Sequence, residues 1–304
     1  MNEPTTREIV QRAWQAGMVV PAFNIPYLPM MAPVVAALRD TKAFGLVMAA
    51  RLEWVKFEAR SIEAVRDEYL RVGDPRHTRL HLDHVPVIDE DDLRVDYMGD
   101  IRRAIDAGYE SVMIDGSRLP LEENIRRTRE VAEAAHAAGI PVEAELGAVM
   151  GHEAGPLPPY EELFRTKQGF TSPEEAAEFA EESGADWLSV AIGNIHGAVS
   201  AAKKNEKKLA ARIDLEHLGH INNAAGVPLV LHGGTGIAPE LIRASARHGI
   251  AKVNVATAIR QPYEQNLKES QEKALQAVYD TMLVILKEEL RLENTARLIA
   301  GNEE

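Results

Sequence analysis

Eight short apolar, β-branched-rich runs, each followed by a longer segment rich in Ala, Glu and Arg, constrain this chain more than any other feature. They cover residues 19–25, 45–50, 79–84, 111–116, 141–147, 187–193, 227–233 and 251–257. Continuous apolar runs of this length suit strands buried on both faces, and crossover helices between them make the strands parallel. Helices are predicted over 121–138, opening on Pro120 and closing before Gly139, and over 173–183, with Thr171 or Ser172 as cap. Eight strand–helix units imply an α/β fold closed on itself, a (β/α)8 TIM barrel, rather than an open sheet. The 304 residues fit a single domain, 1–304, with the barrel at about 19–260 and a C-terminal helical extension at about 261–300. That amphipathic extension has no strand to return to, so a subunit contact is expected of it.

The formal charge of −13 and pI near 5.3 argue against nucleic acid and anionic membrane surfaces as partners. An anionic substrate therefore needs local positive charge. With no cysteine, a metal must be held by imidazole and carboxylate, and the composition fits a reducing compartment. Residues 1–15 carry charges of both signs without an apolar core, and no stretch reaches membrane-spanning length, so a soluble, cytoplasmic protein is expected. Three irregular insertions follow strands: acidic residues 85–96, Gly/Pro-rich 148–168, and 198–208 with four lysines. All three belong on the C-terminal face, where barrels of this kind keep active sites and lids.

Histidines mark that face. His84, His196 and His232 fall at the ends of the third, sixth and seventh runs. Three neutral imidazoles converging from distant strands suit zinc with one position open for substrate. Asp83, beside His84, suits a general acid/base that moves a proton acidified by the metal. Glu143 and Glu145 share one face of the fifth run. Glu145, nearer the mouth, is an alternate metal ligand or an acceptor behind one, and Glu143 a buried partner for a neighbouring strand. His81 is read as a packing residue. The turn His232-Gly233-Gly234-Thr235-Gly236 precedes a helix and can cradle an anion on its N–H groups, joined by Gly197, Asn254 and Thr257. Arg260 and the lysine-rich segment supply positive charge, although a solvated surface loop is the simpler account of the lysines.

At these residues the chain resembles the class II, metal-dependent ketose-bisphosphate aldolases, the family of fructose- and tagatose-1,6-bisphosphate aldolases. The likeness runs from Ala22-Phe23-Asn24 to about Arg260. It takes in Asp83-His84, the segments 111–117 and 143–147, 191–197 around His196, 231–236 around His232, and 252–257. The resemblance implies zinc, or cobalt, at His84, His196 and His232, with Asp83 shuttling a proton to the aldehyde oxygen. It implies phosphate contacts from Gly197, Gly233, Thr235 and Thr257, and a substrate hydroxyl contact from Asn254. It further implies a mobile loop whose Glu153 serves proton transfer at carbon, a monovalent cation near the phosphate, and a homodimer or higher homo-oligomer. Asn24 and Gly234 belong to the same expected substrate-binding set.

The expected reaction is reversible cleavage of a phosphorylated ketose to dihydroxyacetone phosphate, or a close analogue, and an aldehyde, through an enediolate stabilised by the metal. Lys252 is the only lysine in a strand run and has no expected Schiff-base role. A hydrolase or epimerase on the same barrel is the rival reading, weakened because the first run carries Pro21-Ala22-Phe23-Asn24 rather than His-x-His. A non-catalytic ligand-sensing barrel is the third. Departures from the family pattern bear on substrate: Val85 where glycine is usual, residues 49–53 without the usual Ser-x-Gly, Val199 for an aromatic, and Ala258 for an acid. They predict altered pocket walls around retained chemistry.

Overall fold

The computed structural model describes residues 3–147, 160–194 and 212–301. His196, Gly197, Glu153, Val199 and the lysine-rich segment lie outside the described residues.

The strands are β1 (Val20–Asn24), β2 (Gly45–Ala50), β3 (Thr78–Pro86), β4 (Ser111–Asp115), β5 (Val142–Leu146), β6 (Trp187–Val190), β7 (Leu229–Leu231) and β8 (Ile250–Val255). Each pairs in parallel with the next, and β8 pairs with β1, closing the barrel. The expected (β/α)8 architecture is the observed one. The last runs are shorter as strands than as apolar stretches, because Gly193 (φ 100°) and Gly233 (φ 70°) turn the chain out of the ladder beyond β6 and β7.

Helices α1 (Thr6–Gln15), α2 (Met31–Asp40), α3 (Arg51–Lys56), α4 (Ile62–Val72), α5 (Tyr97–Ala107), α6 (Leu121–Ala137), α7 (Tyr160–Thr166), α8 (Pro173–Ser183), α9 (Leu215–Ala225) and α10 (Pro239–Ala246) are joined by α11 (Thr257–Leu267), α12 (Gln271–Leu283) and α13 (Ala296–Ile299). Ser172 caps α8 by accepting from the Glu175 N–H, and Pro173 follows at the first turn. Outward-facing strand residues such as Phe23, Val47, Leu82, Ile114 and Val253 pack under the helices. Inward residues near the strand starts, Val20, Leu46, Trp187 and Ala251, meet Ile9, Val10 and Ala13 of α1. So α1 stoppers the N-terminal end with an apolar plug. Toward the other end the interior turns polar: His81, Asp83, Glu143, Glu145, Ser189, His232, Lys252 and Asn254 are all buried.

The C-terminal extension turns its apolar face inward. Ala274, Val278, Met282, Ile285 and Leu286 are buried, α12 packs on α2 and α11, and α13 lies on α1. Leu267, Val284 and Leu298 of the same extension remain exposed.

Candidate active site

The site is built on an irregularity in β3. Strand alternation turns Leu80 and Leu82 outward and His81 and Asp83 inward, which would send His84 out under the helices. Instead the β3–β4 register shifts between Leu82 and Val85, and His84 takes φ 31°. This bulge swings His84 to the mouth beside Asp83. It also returns Val85 to the outward side, fully buried in the layer beneath the helices and paired with Ile114. Val85 therefore does not line the pocket, contrary to the sequence-based expectation.

Asp83, 1% exposed, is clamped by two amides: Asn24 Nδ2 donates to Oδ2 at 2.9 Å and Asn254 Nδ2 to Oδ1 at 3.0 Å. Burial alone would raise its pKa, but the positive ends of His84, Lys252 and His232 outweigh burial and hold the carboxyl below the usual range. His84 Nδ1 lies 3.2 Å from Asp115 Oδ2 and 3.7 Å from Glu145 Oε2. Burial opposes its charge, yet Asp83, Asp115 and Glu145 together push its pKa up to about 10. Ser117 fixes Asp115 through its hydroxyl at 2.6 Å and its backbone N–H at 3.0 Å.

His232, on the seventh strand's C-terminal side, is fully buried with its ring centroid 4.5 Å from that of His84. Its Nε2 is 2.8 Å from Glu143 Oε1 and its Nδ1 3.4 Å from Glu145 Oε2. Burial would raise the Glu143 pKa, but Lys252 and His232 bring it down to about 2. An ionised carboxylate only accepts, so His232 Nε2 carries the proton in that contact. Glu143 is indeed a buried partner, though its partners lie across the barrel rather than on an adjacent strand.

His81 differs from the packing residue expected. It sits on the inner face two residues before Asp83, with Nδ1 2.9 Å from Ser111 Oγ and Nε2 3.5 Å from Glu143 Oε2. Burial, with Lys252 nearby, takes its pKa down to about 3, so the ring is neutral.

The anion-binding side also takes shape. Gly233 and Gly236 have positive φ, and a Cβ on Gly234 would stand 2.8 Å from Val253 Cγ2 and 3.0 Å from the Asn254 carbonyl oxygen. Only glycine lets this turn lie against β8. Thr257 opens α11 directly after β8. Asn194 donates to the His232 carbonyl at 3.0 Å and ties the ends of β6 and β7 together. Arg260 is held by both carboxylate oxygens of Glu264 at 2.7 Å and lies over the Phe57 ring. A phosphate would have to compete with Glu264 for that guanidinium.

The acidic insertion folds as a wall at the mouth. Asp89 accepts from the backbone N–H groups of Asp91 and Leu93, and its other oxygen is 3.4 Å from Arg51, which also approaches Asp100 at 3.7 Å. Arg118 donates to the Asp89 carbonyl and to Asp92. Near Asn24 and Asp83, Glu53 is buried and accepts from the Ala50 N–H at 2.9 Å. Sequence reasoning assigned no role to Asp115, Ser117, Lys252, Asn194 or Glu53. Asp115 had a signal, its place at the end of an apolar run, and Lys252 another, as the only lysine in a strand run.

The fructose-bisphosphate aldolase class-II family model matches residues 4–297. The chain belongs to that family. It is thus an aldolase, a carbon–carbon lyase, and the family implies a phosphorylated sugar substrate. A fructose-bisphosphate aldolase of Streptococcus pneumoniae is 35% identical over 258 residues, 83% of this chain and 78% of the relative. The YdjI aldolase of Escherichia coli K12 superposes with a TM-score of 0.74 at 27% identity, covering 95% of this chain and 98% of that one. A fructose-bisphosphate aldolase of Campylobacter jejuni shares the fold, with a TM-score of 0.70 at 18% identity over 94% of each chain. Among the described residues, no helix is long and apolar enough to cross a membrane.

Class II aldolases are generally metal-dependent, and the residues at the mouth fit a cation. Asp83, His84 and His232 bring ligand atoms within 4.8 Å of one another, as do His84, Asp115 and Glu145. Among the described residues, buried Glu145 Oε2 has no donor in ordinary hydrogen-bond geometry and lies 3.4 Å and 3.7 Å from the two imidazoles. Two ligands about 2.1 Å from a tetrahedral ion stand about 3.4 Å apart, so this spacing matches a shared cation.

Proposed function

We propose that the protein is a zinc-dependent aldolase that reversibly cleaves a phosphorylated ketose to dihydroxyacetone phosphate, or a close analogue, and an aldehyde. The observation carrying this reading is the buried Glu145 oxygen set 3.4 Å and 3.7 Å from two imidazoles, beside a carboxylate clamped by two amides. His84, His196 and His232 would hold the ion, zinc or cobalt, with Glu145 an alternate ligand or an acceptor behind them. The ion supplies Lewis-acid stabilisation of the enediolate charge left on the ketone fragment.

The remaining work falls to side chains. In cleavage Asp83 takes the proton of the hydroxyl that becomes the aldehyde oxygen, and in condensation it returns that proton. The Asn24 and Asn254 amides favour the ionised form and keep its oxygens in place. Glu153 moves the proton at carbon. Gly197, Gly233, Gly234, Thr235 and Thr257 receive the phosphate, with Arg260 nearby and a monovalent cation beside it, while Asn24 and Asn254 face the substrate hydroxyls. Lys252 is fully buried and paired with Glu143 at 2.8 Å, which speaks against a Schiff base. The chain is proposed to be one domain, cytoplasmic, working as a homodimer or higher homo-oligomer.

The test is proton exchange: zinc-loaded protein should release tritium from dihydroxyacetone phosphate and, offered a panel of aldehydes, form adducts. Bound zinc with neither exchange nor adduct would overturn the reading. The Arg51–Asp89 wall supports a substrate other than fructose-1,6-bisphosphate, because a site built around different hydrogen-bond partners rejects an analogue by several powers of ten. Fructose-1,6-bisphosphate should be the poorer substrate beside another phosphorylated ketose. A kcat/KM for it of about 10⁴ M⁻¹s⁻¹ or more, unmatched by any other ketose tested, would refute this.

A further inference from the structure

Lys252 projects from β8 into the barrel, and its side chain is wholly buried. Its ammonium is 2.8 Å from Glu143 Oε2 and donates to Asn254 Oδ1 at 2.6 Å. Each partner touches the site with its other end: Asn254 Nδ2 donates to Asp83 Oδ1 at 3.0 Å, and Glu143 Oε1 lies 2.8 Å from His232 Nε2. An amide can turn end for end with almost no change of shape, so its direction is set by its neighbours. Because ammonium only donates, it takes the amide oxygen and leaves the NH₂ facing Asp83. A carboxylate beside an ammonium stays ionised and only accepts, which keeps the proton of His232 on Nε2 and turns Nδ1 toward Glu145.

We propose that Lys252 is a positioning residue whose single ammonium sets both the Asn254 amide against Asp83 and the His232 tautomer against the metal. No nucleophilic step is involved. The Asp83 arm rests on the function proposed above; the His232 arm requires only that a metal binds.

The chain contains no cysteine, so Lys252→Cys introduces one thiol. Alkylated in denaturant with 2-bromoethylamine, it becomes a thioether lysine; with 1-bromopropane, an uncharged isostere of the same length. Both are refolded and loaded with zinc, and folding is checked by circular dichroism. The aminoethyl protein should recover near-native kcat and zinc affinity. At saturating zinc the propyl protein should show kcat lower by about a hundredfold with KM within about threefold, and chelator competition should show zinc held about tenfold more weakly. Imidazole ¹⁵N spectra of the propyl protein should show His232 no longer fixed as the Nε2–H tautomer. Lys252→Met, expressed rather than refolded, makes the same comparison if the propyl protein does not refold. Equal kcat, zinc affinity and His232 spectra in the charged and uncharged proteins would overturn the proposal. If the unsubstituted protein turns over no ketose phosphate, the functional reading has failed, and zinc affinity with the His232 spectrum still decides the role of Lys252.

Discussion

Glu53→Gln tests how the mouth of the barrel stores a buried acid. Glu53 is 6% exposed, and burial, helped by Asp83 and opposed by the Ala50 N–H and Asn24, pushes its pKa from an ordinary 4.5 up to about 8. A group with a raised folded-state pKa binds its proton more tightly in the folded chain. Its stabilising contribution is therefore complete below about pH 4.5 and is lost as pH rises through about 8. At about 1.4 kcal/mol per pH unit, the interval corresponds to on the order of 5 kcal/mol, of which on the order of 4 kcal/mol falls between pH 5 and pH 9. Gln keeps the shape and the oxygen that accepts from Ala50 but does not titrate. The metal-free variant and parent should thus melt within a degree or two of each other near pH 5, with the variant gaining as pH rises. With about 2.1 cal/mol/K of unfolding entropy per residue, the gain should reach about 6 °C at pH 9. Thermal melts with chelator present, at half-unit pH steps, give the curve directly. A melting difference that stays flat from pH 5 to pH 9 would refute the argument, since it would mean that Glu53 is solvated or paired at all pH values.

His232→Ala should lose zinc and turnover together, because an open site has no ligand to spare; full zinc by elemental analysis with near-native activity would sink the ligand assignment. Asp83→Ala should keep its zinc while kcat falls by about a hundredfold or more, the scale of a lost general acid/base, and an unchanged kcat would dismiss the role. Zinc affinity should rise with pH through neutrality, about tenfold per unit for each proton displaced, because the metal-free His84, its pKa near 10, must give up a proton to bind. Calorimetry in buffers of different ionisation enthalpy would detect that proton, and a pH-independent affinity between pH 6 and 8 would exclude it.

The barrel was legible because parallel strands buried on both faces leave unbroken apolar runs, and all eight runs became strands. His84 and His232 were legible because they stand where such runs stop. What alternation could not reveal is the register shift in β3. It turned Val85 out to the helices, although sequence placed it at the pocket wall. His81, read as packing, lies in a polar interior layer whose other members come from four further strands. The Lys252–Glu143–His232 linkage joins β8 to β5 and the end of β7, and no local pattern announces partners that meet only across a closed barrel. Arg260 was legible as charge but not as a partner of Glu264, since the helical pairing competes with any ligand.

The shift in β3 also limits how this chain can vary. Deleting Asp83 or His84, the two residues between Leu82 and Val85, would straighten the ladder with β4 and leave the barrel free to close, but a regular strand offers only one inward place there, so the pair would be reduced to a single side chain at the mouth. Such a deletion should be nearly silent in a folding screen and fatal in a catalytic one. For anyone transplanting this Asp-His pair to another barrel, the acceptor strand must already carry the extra residue, because on a regular strand adjacent side chains never share a face.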